Sequence, residues 1–187
     1  MKYISSSWRF LLFWVLAFLS FPIAGVLAIF VVPVNTPVRA LIAGASAGAA
    51  LGLVQWLILR SRVPSLSIWW VVATSAGMAA GLTIGTVFLG SETRGNELLW
   101  RGGITGLCIG TAQGVVFRRV LPLTQSVIWI GVVSLGWALG WFVTRSAGID
   151  LSQKWYVFGA SGALTFQLLT GLALFFLLRS AKELRLR

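Results

Sequence analysis

Histidine is absent from this 187-residue chain. With it goes the commonest metal ligand, proton shuttle and axial haem ligand. Cysteine occurs once, as Cys108, so no intrachain disulfide can form. Acid is nearly as scarce: Asp and Glu together number 4 against 15 Lys and Arg. Charged residues make up 10% of the chain, where a soluble domain averages about 25%. These residues supply no metal cluster, nucleophile–base pair or phosphate-binding loop, so the expectation is a protein that is not an enzyme. The acids Glu92, Glu97 and Asp150 fall in polar stretches, and Glu92 and Glu97 with Arg94 and Arg101 read as local salt bridging.

What is plentiful is apolar. Hydrophobic residues make up 58% of the chain, with 21 glycines and 10 tryptophans, and the mean hydropathy is +0.91. The length accommodates about six spans of roughly 20 residues with short loops and no soluble domain beside them. The predicted spans are 10–32, 38–59, 68–89, 98–117, 123–144 and 155–178, the first kinked or locally opened at Pro22. The first apolar run is too long for a signal peptide and reads as a retained span.

The net charge of +11 does not point to nucleic acid, because the cations sit at span ends rather than along one face. On one side, here side one, lie Lys2, Arg9, Arg60, Arg62, Arg118, Arg119, Arg179, Lys182, Arg185 and Arg187, against Glu183. On side two lie Arg39, Arg94, Arg101, Arg145 and Lys154, against Glu92, Glu97 and Asp150. The excess predicts a cytoplasmic side one with both termini inside. Arg60, Arg118, Arg119 and Arg179 mark that cytoplasmic edge, where a helix C-terminus favours a cation and long stems reach the headgroups.

The spans repeat. GASAGAALGLVQWLILR places Gly44, Gly48 and Gly52 every fourth residue, then Gln55 and Arg60. GGITGLCIGTAQGVVFR repeats this with Gly102, Gly106, Gly110, Gln113 and Arg118. A third, eroded copy ends at Arg179; it keeps Gly171 but has Ala163, Gln167 and Leu174 where the others have two glycines and the glutamine. Between these copies, Trp70, Gly77 and Gly81 match Trp129, Gly136 and Gly140 at a constant offset of 59. The expectation is all-α: one integral membrane domain over 1–187, built from three parallel helical hairpins at 8–60, 67–118 and 123–179.

At about 100° per residue, each glycine set and its glutamine share one narrow helix face. Small residues let another backbone approach, which in lipid replaces the hydrophobic force. Gly44, Gly48, Gly52, Gly77, Gly81, Gly102, Gly106, Gly110, Gly136, Gly140 and Gly171 are therefore candidate helix-packing positions. Gln55, Gln113 and Gln167 are candidates for an intramembrane polar centre, since an amide in hydrocarbon needs a partner. Trp8, Trp69, Trp70, Trp100 and Trp155 fall near predicted membrane interfaces.

The repeated Gly-x3-Gly-x3-Gly-x2-Gln-x4-Arg and Trp-x6-Gly-x3-Gly helices resemble small polytopic membrane proteins of cyanobacteria and related bacteria, over nearly the whole chain. The third copy departs from the pattern at Gln167 and Leu174. The resemblance carries no activity. Size and span number also resemble the substrate-binding subunits of energy-coupling-factor vitamin transporters, without any of their motifs.

The function expected is a structural, assembly or accessory subunit of the bacterial inner membrane, or of a thylakoid if the source is cyanobacterial. Its partners would be lipids, other membrane subunits or copies of itself, with no metal and no resident cofactor. The alternative is a binding or transport subunit for a hydrophobic or neutral solute, a vitamin, or a flat apolar ligand such as a pigment or quinone. Internal space separates the two, because a binder needs a cavity of roughly 300 Å³ or more.

Overall fold

The computed structural model describes residues 2–31, 35–90, 97–147 and 159–185. Glu92, Arg94 and Asn96 of the most polar loop, and Asp150, Lys154 and Trp155 before the last helix, lie outside the described residues.

Every described element is helical: α1 (Lys2–Leu16), a 3₁₀ turn (Ala17–Leu19), α2 (Ser20–Val31), α3 (Pro37–Leu59), α4 (Trp69–Leu89), α5 (Glu97–Phe117), α6 (Leu123–Ser146) and α7 (Ala160–Arg185). Five stretches are long and apolar enough to cross a membrane: Trp8–Ala28, Pro37–Leu59, Trp69–Leu89, Leu123–Ser146 and Ala160–Ala181. The 21-residue α5 is not among them; it carries Glu97, Arg101 and Gln113 among five glycines, which lowers its hydropathy. The chain is an all-α bundle of the kind a polytopic membrane protein forms.

Local chemistry sets the boundaries. Thr36 caps α3 by accepting from Arg39 N at 3.3 Å, with Pro37 in the first turn where its missing N–H costs nothing. Gly90 ends α4 at φ 73°, a conformation that side chains disfavour. The break in the first span lies one turn before Pro22, at Ala17–Leu19. Pro22 has no N–H to give Phe18, and its ring crowds that carbonyl, so the distortion falls on the preceding turn. Ser20 Oγ donates to the Ala17 carbonyl there at 2.6 Å.

From α2 to α7 each helix packs on the next one in the chain. Beyond these, α1 and the 3₁₀ turn lie against α7, so the order closes on itself. Trp14, Trp70, Trp129, Trp137, Phe21 and Phe117 are completely buried within it. The outer face carries large apolar side chains, among them Leu12, Leu53, Val115, Leu135 and Phe176. That is the distribution expected where lipid replaces water as the surrounding solvent.

Candidate functional site

The glycines account for how closely the helices approach. A Cβ added to Gly44 would sit 2.8 Å from Ala79 Cα, and one on Gly48 2.8 Å from Ser75 Cα, both on α4. Gly52 faces Thr74 and Val71 of the same helix. On α4, a Cβ at Gly77 would lie 2.6 Å from Ile109 Cα and one at Gly81 2.5 Å from Thr105 Cα, both on α5. Gly102, Gly106 and Gly110 meet α6, at Trp141, Ser134 and Ile130. Gly136 meets Phe166 of α7, and Gly140 meets Gly162 backbone to backbone. Gly171 meets Trp14 and Leu11 of α1. Each small-residue face is thus used within the chain, against the helix that follows it or, for α7, against the first. Gly103 and Gly131 have nothing within 4 Å of a Cβ; they point outward and fall off the four-residue ladders.

Hydroxyls bridge two of these seams in the same way. Ser75 Oγ donates to the Ala45 carbonyl at 2.7 Å across α3–α4. Ser134 Oγ donates to the Gly103 carbonyl at 3.1 Å across α5–α6. Most other threonines turn their hydroxyls back onto their own helix, as Thr74 does onto Trp70 and Thr86 onto Leu82, both at 2.8 Å.

Two of the three glutamines meet. Gln113 Nε2 donates to Gln55 Oε1 at 3.3 Å and to Thr74 Oγ1 at 2.9 Å, while Gln113 Oε1 accepts from Trp129 Nε1 at 3.1 Å. One amide therefore ties α3, α4, α5 and α6 together. Both glutamines are buried, about one turn from the side-one ends of their helices. Gln167 does not join them. It is fully buried, and its one hydrogen bond is accepted by Oε1 from Thr170 Oγ1 at 3.4 Å, leaving its nitrogen without a partner. Thr170 is instead the acceptor for Trp14 Nε1 at 3.0 Å, across the seam between α7 and α1. Trp70, the sequence counterpart of Trp129, has no partner for its Nε1, while Gln55 Oε1 accepts from Gln113.

Aromatic rings fill the axis on both sides of this amide layer. Trp70, Phe117 and Trp129 pack at 4.6, 5.3 and 6.1 Å toward side one. Phe21, Phe166 and Trp137 pack at 5.6, 5.9 and 6.3 Å toward side two. Between them, residues from α2 through α7, including Gln55, Thr74, Gln113 and Trp137, enclose about 10 Å³. That is at the threshold for one water molecule.

Arg101 is the residue whose placement the sequence least revealed. It lies one turn into α5, yet it is only 2% exposed. Its Nη2 donates to the Gly90 carbonyl at 2.5 Å and its Nη1 to Thr86 Oγ1 at 3.5 Å. It therefore caps the C-terminus of α4, where a cation meets the helix dipole, and Gly85 makes room for its stem. Arg60, Arg118, Arg119 and Arg179 are exposed at the other end.

Among the described residues there is no group of three or more His, Cys, Asp or Glu that could hold a metal ion. No family model, curated protein or solved structure matches the chain.

Proposed function

We propose that the protein is a non-enzymatic integral membrane protein with a structural, assembly or accessory role. In this reading α5 is the sixth span, sheltered from lipid by α4 and α6. Three hairpins of about 59 residues close into a ring, with both termini on the cytoplasmic side of a bacterial inner membrane. The resemblance to small cyanobacterial membrane proteins is kept as part of the same proposal.

The observation that carries it is how little space the described residues leave on the axis. About 10 Å³ on the axis is far below the roughly 300 Å³ of a small-molecule site. The glycine ladders support the same reading, because they join the chain's own helices and leave the apolar exterior to lipids and other subunits. The solute-binding alternative draws on one observation, the unpartnered nitrogen of Gln167; Gln167 does not line the small axial space, and that space is too small for a vitamin, pigment or quinone.

Native purification in mild detergent, followed by mass spectrometry for both subunits and small molecules, tests the proposal. A stoichiometric membrane subunit or a second copy of the chain is the expected companion. Recovery of the protein alone, monomeric and ligand-free, overturns the accessory role. A stoichiometric solute favours the alternative.

A further inference from the structure

The bonds of the amide layer fix which way each amide points. Trp129 Nε1 can only donate, so the Gln113 atom facing it at 3.1 Å is Oε1. That turns Gln113 Nε2 toward Thr74 Oγ1 at 2.9 Å and toward Gln55 at 3.3 Å. The Thr74 hydroxyl proton is already given to the Trp70 carbonyl at 2.8 Å, so Thr74 accepts from Gln113. Gln55 has to meet the same donor with its oxygen. Its nitrogen is therefore turned away from Gln113, and among the described residues no acceptor is bonded to it.

Gln55 is only 5% exposed, and it lines the axial void of about 10 Å³ together with Thr74 and Gln113. The void is where its nitrogen can find an acceptor. Phe21, Trp137 and Phe166 wall the same space toward side two, and the remaining lining is aliphatic. Gln113 Oε1 and Thr74 Oγ1 each keep one lone pair after the bonds above. One corner of the void thus holds an unmet donor beside two oxygens that can each accept once more.

A buried amide N–H left unmet costs free energy. The group that meets it here has to accept one hydrogen bond, donate two, and fit a very small volume. A cation would face the N–H, and an anion would face the two lone pairs. Water suits all three contacts, and a buried water typically makes about three hydrogen bonds in a void of at least roughly 10–15 Å³.

We propose that this corner binds one structural water, which accepts from Gln55 Nε2 and donates to Gln113 Oε1 and Thr74 Oγ1. The water joins α3, α4 and α5 at a second point beside the direct Gln113 bonds. Its site depends on neither the accessory role nor the membrane-spanning reading above.

The test counts long-lived internal waters in the full chain in detergent micelles, by relaxation dispersion of the solvent deuterons. Gln55→Met keeps the length of the side chain and removes the donor, and it is expected to lose one such water per chain relative to wild type. Gln167→Met alters a buried amide that does not line the void, and it is expected to keep the wild-type count. An unchanged count in Gln55→Met overturns the site, and so does an equal loss in Gln167→Met. If Gln55→Met does not fold, a crystal structure of the wild-type chain at a resolution that shows ordered water decides. Density within hydrogen-bonding reach of Gln55 Nε2, Gln113 Oε1 and Thr74 Oγ1 is the expected result. A void without density, or a protein acceptor on Gln55 Nε2, overturns the proposal.

Discussion

The seam between α5 and α6 and the seam between α7 and α1 are closed by different means. At α5–α6, Gly102, Gly106 and Gly110 bring backbone close to the facing helix, Ser134 bonds the Gly103 carbonyl, and Trp129 bonds Gln113. At α7–α1 the first two ladder positions are Ala163 and Gln167, the glutamine position is Leu174, and the counterpart of Trp129 is Leu11. Among the described residues, the tryptophan bond there joins Trp14 to Thr170. Trp14 is three residues further along α1 than Leu11, and Thr170 is four residues back along α7 from Leu174. In antiparallel helices those are the same displacement, one turn away from side one. Donor and acceptor have moved together. A buried indole N–H without an acceptor costs free energy, as at Trp70 Nε1, so moving one partner alone would add that cost at this seam. The ladder glycines, by contrast, can be lost where side chains take over the seal.

The sharpest way to break this contrast is to put a large residue into the intact seam. Gly106→Leu drives a side chain against Ser134 and the Val133 carbonyl, where a Cβ alone would already be 2.8 Å from both. The expected loss is about 3 kcal/mol or more, read as thermal unfolding in detergent, while Gly131→Ala, facing open space, is expected to cost nothing. Next comes Gln113→Leu, which leaves Gln55, Thr74 and Trp129 without their shared partner. About 1–3 kcal/mol should be lost, with a shift in the emission of buried tryptophan. Trp14→Phe removes a single neutral hydrogen bond from the other seam, and about 1 kcal/mol is expected in the same unfolding measurement. Gln167→Met should have the smallest effect, within about 0.5 kcal/mol of wild type and toward stabilisation, because it replaces an amide whose nitrogen has no partner. A large loss at Gln167 would mean that the two seams are equally polar and that the contrast is wrong.

The period of four was legible in the chain because a helix places Gly44, Gly48 and Gly52 on one face whatever they touch. What they touch was not legible. The same face suits a foreign helix or the next one in the chain, and only the three-dimensional order puts Ala79 and Ser75 opposite. The glutamines were visible as costly residues needing partners. Their pairing was not, since Gln55 had Trp70 and Gln113 within its choice and hydropathy does not rank them. Arg101 shows the same limit: its position in the sequence marks it as near an end, while its burial depends on Gly85 leaving space on another helix. Pro22 announced a distortion in the first span, but its missing donor is felt one turn earlier, so the break stands at Ala17–Leu19.

The bond between Trp14 and Thr170 joins positions 156 residues apart. A ribosome adds about 5–20 residues each second, so about 8–30 s separate the appearance of the two partners. The other seams join helices consecutive in the chain and can form as those helices emerge. In the membrane-spanning reading, the first helix enters the membrane with the side that α7 will cover still bare, and the Trp14 indole is without Thr170 until α7 arrives. Any truncation before residue 170 makes that temporary state permanent, and α1 is then the part of the unfinished protein most open to capture by another chain.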